Sequence, residues 1–164
     1  MLRRLLIAIL VALPFSVFAQ KFAIIDTQSL MESMPELKTA NEQLEAANKK
    51  YAEEFKMLQE EFRKKYEEFQ ALDPSTLQTI KDRRMQEMQE LDNKIQQFQA
   101  TASQDLQRQQ QQLMAPIQEK VMQAVQAVGA EGSYTFVFEK GQAIYTGSDV
   151  ADITAAVKSR LGIQ

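Results

Sequence analysis

From Leu44 onward the chain spaces its apolar side chains as one face of a helix would. Leu44, Ala47, Tyr51, Phe55, Leu58, Phe62, Tyr66, Phe69 and Leu72 cover 28 residues in eight steps, a mean step of 3.5. That is the period of a left-handed coiled-coil seam. Ser33 and Glu36 stand at capping-box spacing around Pro35, which predicts a helix start near 33–36. Asp73-Pro74 predicts its end, because a residue before proline is pushed out of helical geometry. Asp73 can then cap a second helix with Pro74 as its first residue. The second stripe runs through Leu77, Ile80, Met88, Leu91, Ile95, Phe98, Ala102, Leu106, Leu113, Ile117, Val121, Val125 and Val128, with Gly129 as the expected stop. The two helices would be roughly 50 Å and 80 Å long. A tight turn between them predicts an antiparallel hairpin. With the turn centred between Asp73 and Pro74, Lys64 is expected to face Arg83, and Glu36 to face Gln111.

The two ends of the chain carry a different pattern. Phe22-Ala23-Ile24-Ile25 is apolar at every position and predicts a short covered strand. Tyr134 to Phe138 is β-prone, and Gln142 to Tyr145 follows Lys140-Gly141, which predicts a β-hairpin. Ser148 or Asp149 is expected to cap a final amphipathic helix through Leu161, with Val150, Ile153, Val157 and Leu161 on one side. The predicted class is α+β and mostly α. Residues 20–35 and 130–164 form a β-rich body, and residues 36–129 form a helical arm with its tip near 70–75. So small a body cannot hide its own apolar faces. Phe22, Ile24, Phe136, Phe138 and Tyr145 are therefore candidate contacts between identical subunits.

Punctuation and composition sharpen this division. All five glycines lie at Gly129 or later, and only Pro74 and Pro116 interrupt the stretch from Glu36 to Val128. Residues 1–19 have a positive start at Arg3 and Arg4, an apolar run, and Val17-Phe18-Ala19 at the cleavage positions. This predicts a cleaved secretory signal peptide and an exported chain. Cleavage after Ala19 leaves 145 residues, with 17 Lys and Arg against 22 Asp and Glu, a net charge of −5. An acidic chain of this size is a poor nucleic-acid binder. The chain has no Cys, His or Trp. That removes disulfides, thiolate nucleophiles, imidazole bases and the common zinc and iron ligand sets. Adjacent carboxylates such as Glu53-Glu54 diverge by about 100° around a helix and form no acid–base pair. The sequence therefore predicts a binding or structural protein, with no enzymatic activity, cofactor or metal.

The candidate binding residues lie along the predicted arm. Met57, Met85, Met114 and Met122 fall off the seam, and methionine suits promiscuous surfaces. Gln107 to Gln112, interrupted by Arg108, is a polar run in which Gln111 is a further candidate for polypeptide contact; the bland reading is a solvated helix face. Arg63, Lys64 and Lys65 on the outgoing helix, with Lys81, Arg83 and Arg84 on the returning one, form a candidate basic collar near the tip. Ordinary i,i+3 and i,i+4 pairing with neighbouring glutamates is the competing reading. Pro116 inside the second helix removes one backbone hydrogen bond and clashes with the carbonyl of Gln112, so it is a candidate hinge or static bend.

The ends carry the most specific signal. Phe22-Ala23-Ile24-Ile25-Asp26 leads into Ser29-Leu30-Met31, and Ala143-Ile144-Tyr145-Thr146-Gly147-Ser148-Asp149-Val150-Ala151-Asp152-Ile153-Thr154 closes the chain. With the order strand, long hairpin, β-rich end and closing helix, this resembles the Skp/OmpH-like family of periplasmic chaperones. The resemblance covers the whole expected mature chain; the arms match in type and length. It implies a homotrimer in which small strands join into a β body and three arms surround a cavity. That cavity would hold unfolded outer-membrane proteins without ATP and keep them from aggregating. The competing role is a structural coiled-coil envelope protein or assembly scaffold. The best-known member is strongly basic, so contact with membranes or lipopolysaccharide does not carry over to a chain of net charge −5.

Overall fold

The computed structural model describes residues 20–163; the expected signal peptide at 1–19 lies outside them. The elements are β1 (Phe22–Ile25), α1 (Thr27–Glu32), α2 (Pro35–Gln70), α3 (Gln78–Glu131), β2 (Phe136–Glu139), β3 (Ala151–Asp152) and α4 (Thr154–Leu161). Helices dominate, and a three-stranded sheet closes one end, which is the expected α+β, mostly α class.

The short helix α1 was not expected. Asp26 starts it by accepting the Ser29 N–H at 2.8 Å, and its one turn and a half buries Leu30 completely. Ser33 therefore ends α1 and does not cap α2; its hydroxyl donates back to Ser29 O at 2.8 Å. The long helix starts at Pro35, whose missing N–H costs nothing in a first turn. Met34 just before it is buried in the body.

The tip is longer than the expected tight turn. Asp73 accepts both the Ser75 N–H, at 2.7 Å, and its hydroxyl, at 2.5 Å, so the chain closes an Asx-type turn there. Pro74 is consequently a turn residue, and α3 begins only at Gln78. The extra residues shift the pairing of the two helices. Lys65 reaches Glu87, Tyr51 reaches Asp105, and Glu36 reaches Lys120, nine residues beyond the expected Gln111. The seam also differs in one place: Lys65 is half-buried in it, and Tyr66 is exposed.

Helix α3 passes through both Pro116 and Gly129 and stops at Glu131, with Gly132 as its cap. Gly129 is buried, and a β carbon there would lie 3.7 Å from Val137 Cγ2. Its smallness lets β2 lie close to the helix, so it serves packing and does not end the helix.

The sheet order is β2-β1-β3, parallel throughout, with Phe22 beside Phe136, Ile24 beside Phe138, and Ala23 beside Ala151. Parallel neighbours need a long crossover, and here the whole arm supplies it between β1 and β2. The expected hairpin of 134–138 with 142–145 does not form. Glu139-Lys140-Gly141-Gln142 makes a turn closed by Gln142 N–H to Glu139 O, in which only Gly141 has a positive φ (+88°). Hairpin turns of two residues need a positive φ at the first central position, here Lys140; without it the flanking strands splay. The last helix starts at Thr154, later than expected. Asp152 accepts the Thr154 N–H at 3.0 Å, and Val150 stays outside the helix.

One core joins these parts. Ala23 and Ile25 of β1, Leu30, Met34, Ala40, the Ile117–Val128 face of α3, and Ile153 with Val157 pack together. The base of the arm is thus fused to the body, while the outer arm has only its seam.

Candidate functional site

Two surfaces are built without a partner of their own: the outer face of the sheet and the flanks of the arm. Strand alternation sends Ala23 and Ile25 into the core and leaves Phe22 and Ile24 on the opposite face. Phe136 and Phe138 share that face through the parallel register. The three rings cluster, with centroids 6.1 Å (Phe22–Phe136), 6.3 Å (Phe22–Phe138) and 6.0 Å (Phe136–Phe138) apart. Phe136 is 53% exposed and Phe138 45%. Of the five residues expected at a subunit contact, these three and Ile24 are therefore brought together. Tyr145 is not; it stands apart in the 140–150 connection, 84% exposed.

The arm seam alternates apolar and polar rungs. Leu58 and Leu91 are its buried apolar positions in the outer half. Further in, the Tyr51 ring meets Phe98 at 6.0 Å, and its hydroxyl donates to Asp105 at 3.1 Å. Desolvation and the Asp105 carboxylate push the Tyr51 hydroxyl above its ordinary pKa. Nearer the tip the rung is ionic. Glu87 receives Lys65 at 3.4 Å, Arg84 at 3.2 Å and Arg83 at 3.6 Å. Desolvation raises the Glu87 pKa, but the hydrogen bonds and charges of Lys65 and Arg84 outweigh it and hold the carboxyl below its ordinary value.

That arrangement changes the meaning of the basic cluster. Lys65, Arg83 and Arg84 converge on Glu87. Arg63 pairs with Glu67 at 3.4 Å, and Lys81 donates to Pro74 O at 2.9 Å. Lys64 is exposed. With Lys65 opposite Glu87, Lys64 does not face Arg83 as expected and the two cation triplets are offset along the arm; Lys65 alone bridges the two helices, while Arg63, Arg83 and Arg84 pair within their own helices. Glu87 is the residue that sequence reasoning grouped only with ordinary helix-surface charge. Its i,i+3 and i,i+4 spacing to Arg84 and Arg83 was visible; its place opposite Lys65 depended on the register.

The methionines are dispersed. Met57 and Met85 are exposed on the outer arm, roughly 15 Å apart along its axis. Gln111 is exposed, Met114 packs against the core, and Met122 is exposed at the level of the body. Leu77, Ile80 and Tyr66 add exposed apolar side chains near the tip. Pro116 has a neighbour that the expected register denied it. The first turn of α2 lies against it, and a groove of about 420 Å³ opens between Pro35, Thr39, Ala40, Leu113, Pro116 and Ile117. The Glu36–Lys120 ion pair stands at its rim and lowers the Glu36 pKa. Among the described residues there is no cluster of three acidic side chains able to hold a metal ion, and no helix long and apolar enough to cross a membrane.

The arm and the strand-built base together match a known pattern: the outer membrane protein (OmpH-like) family profile aligns with residues 21–161, from β1 to the end of α4. The chain belongs to the OmpH-like family. Among solved structures, an OmpH-like protein from Caulobacter crescentus CB15, described as a candidate outer membrane chaperone, shares the fold of this OmpH-like chain. Its TM-score is 0.74 at 13% identity, over 87% of this chain and 83% of the other. Comparison with curated proteins gives no significant match.

Proposed function

We propose that this OmpH-like chain is an ATP-independent holdase of the periplasm that keeps unfolded outer-membrane proteins from aggregating. In this reading three copies join through their sheet faces, and their arms enclose the client. The observation that carries it is the arm itself: two helices of 36 and 54 residues standing out from a small body, with exposed Met57, Met85, Leu77 and Ile80 set among charges. Many weak, adaptable contacts give affinity without sequence preference when several arms share one client. The aromatic sheet face supports the assembly, since an exposed apolar cluster of this kind marks an interaction surface. The description of the Caulobacter relative as a candidate outer membrane chaperone points the same way.

The test dilutes a denatured outer-membrane β-barrel into buffer with and without the chain and follows light scattering. Suppression of scattering at stoichiometric amounts, with no nucleotide added, is expected. No suppression by an intact oligomer would overturn the holdase reading in favour of an envelope spacer or scaffold. Photo-crosslinkers at Met57, Met85 and Gln111 are expected to capture client more than one at Lys158; equal or reversed yields would place the client elsewhere. Phe136→Asp is expected to leave the single chain folded, because the side chain is half exposed there, and to abolish association by burying an unpaired charge. Unchanged mass in light scattering would remove the sheet face from the interface.

A further inference from the structure

All the sulfur in this chain is thioether: there are eight methionines and no cysteine. The fold sorts the methionines it describes into two groups. Met34 is 2% exposed in the body core, Met31 and Met114 pack against that core, and Met88 is half-buried in the arm seam. Met57, Met85 and Met122 are instead 62%, 53% and 57% exposed. The two on the outer arm have polar surroundings. At helical spacing Met57 is flanked by Glu53, Glu54, Glu60 and Glu61, and Met85 by Lys81, Asp82 and Gln89, with Met88 its one apolar neighbour. A small dissolved reagent therefore reaches both sulfurs without any opening of the arm.

We infer that Met57 and Met85 form a reversible oxidation site that weakens client binding while the fold stands. This rests on the holdase reading proposed above, in which both side chains belong to the client surface, and it names a regulation of that surface. The reagent class is a two-electron oxygen donor, with hypochlorous acid as the worked case. The thioether sulfur attacks the chlorine and expels hydroxide, and water then displaces chloride from the chlorosulfonium. Sulfur loses two electrons, chlorine gains them, and the net products are the sulfoxide, chloride and a proton. The sulfoxide is polar and chiral, and it is reducible by enzymes specific for each epimer. On the solvent face of a helix it stays hydrated and costs the arm little. In a client contact its oxygen must shed water without an assured partner. The same change at Met34 would place an unpartnered polar group in the core, and burial withholds that sulfur. Client affinity summed over arms falls steeply when every arm loses the same contacts at once.

The test treats the assembled chain with limiting hypochlorous acid, quenches the reagent with free methionine, and maps the added oxygen by peptide mass spectrometry. Met57 and Met85 are expected to be oxidised at doses that leave Met34 intact and the helical circular dichroism unchanged. The dissociation constant for a fluorescently labelled, denatured outer-membrane β-barrel is expected to rise by about tenfold or more. Methionine sulfoxide reductases of both epimer specificities are expected to restore it. Met57→Leu combined with Met85→Leu keeps helix-forming apolar side chains of similar volume and removes both sulfurs. For that variant the ratio of treated to untreated dissociation constants is expected to fall to near unity, whatever its starting affinity. A ratio as large as that of the parent chain would overturn the inference. So would lost binding that the reductases do not restore, or lost binding that tracks lost helical signal. An untreated oligomer that binds client, and binds it equally well once oxidised, sinks only the switch. An untreated oligomer with no affinity for the client sinks the holdase reading and the switch together.

Discussion

Truncating Leu58 to alanine should separate the stability of the arm from that of the body. Leu58 is 6% exposed, as is Leu91 on the facing helix, and these are the buried apolar positions of the outer seam, between the Tyr51–Phe98 rung and the Lys65–Glu87 rung. The substitution removes three carbon groups, about 2 kcal/mol of transfer free energy. Buried leucine truncations cost about 2–5 kcal/mol, the upper values where a rigid cavity remains. A two-helix seam is open on both flanks, so neighbouring side chains and water close the gap and the cost stays near 2–3 kcal/mol. That is roughly a 30- to 150-fold change in an equilibrium constant. Native-state amide exchange reads it directly. Amides between Phe55 and Ile95 should lose protection by about that factor, while those of Leu30, Val121 and Val157 keep theirs, because the body core does not include the outer seam. An equal loss in the body would show that arm and body unfold as one unit. A change below about threefold would show that the apolar rung contributes little.

The ionic rung gives a pH dependence with a definite sign. The Glu87 carboxyl lies below its ordinary value of 4.5 in the folded arm, so its contribution is present above that value and is lost as the pH falls through the lower folded one. Amide protection near Lys65 and Glu87 should drop as the pH is taken below 4.5, and Glu87→Gln should remove that part of the profile; an unchanged profile would discharge Glu87 from the role. Pro116→Ala restores the missing backbone hydrogen bond in α3; if Pro116 is a hinge beside its groove, spin-label distances between arms should narrow, and an unaltered distribution leaves it a fixed bend. Gly129→Ala adds a β carbon at ordinary contact distance from Val137 and should raise stability by about 0.5–1 kcal/mol, as alanine does within helices, whereas Gly129→Leu should destabilise by overpacking. Denaturant titration distinguishes the two.

The parts of this protein legible in its sequence are those written in local spacing. The 3.5-residue stripe and the absence of glycine before Gly129 specify two long helices and an arm with nothing more known. The apolar run at Phe22–Ile25 specifies a strand in the same way, though only Ala23 and Ile25 are covered, and the lack of Cys and His narrows the chemistry. The short helix α1 had a signal too, an Asp26 cap three residues before Ser29, but six residues are too few for periodicity to show. What the tertiary structure decided are the relations between distant residues. The Asx-type turn at Asp73 sets the register, and with it which cation meets Glu87 and what lies beside Pro116. An ideal helix drifts from a strict 3.5 repeat, so after several turns the seam passes from Tyr66 to Lys65, and the facing carboxylate of Glu87 stabilises that choice. The direction of β2 depends on β1, more than a hundred residues earlier in the chain. Its local alternation reads the same whether the neighbour is parallel or antiparallel.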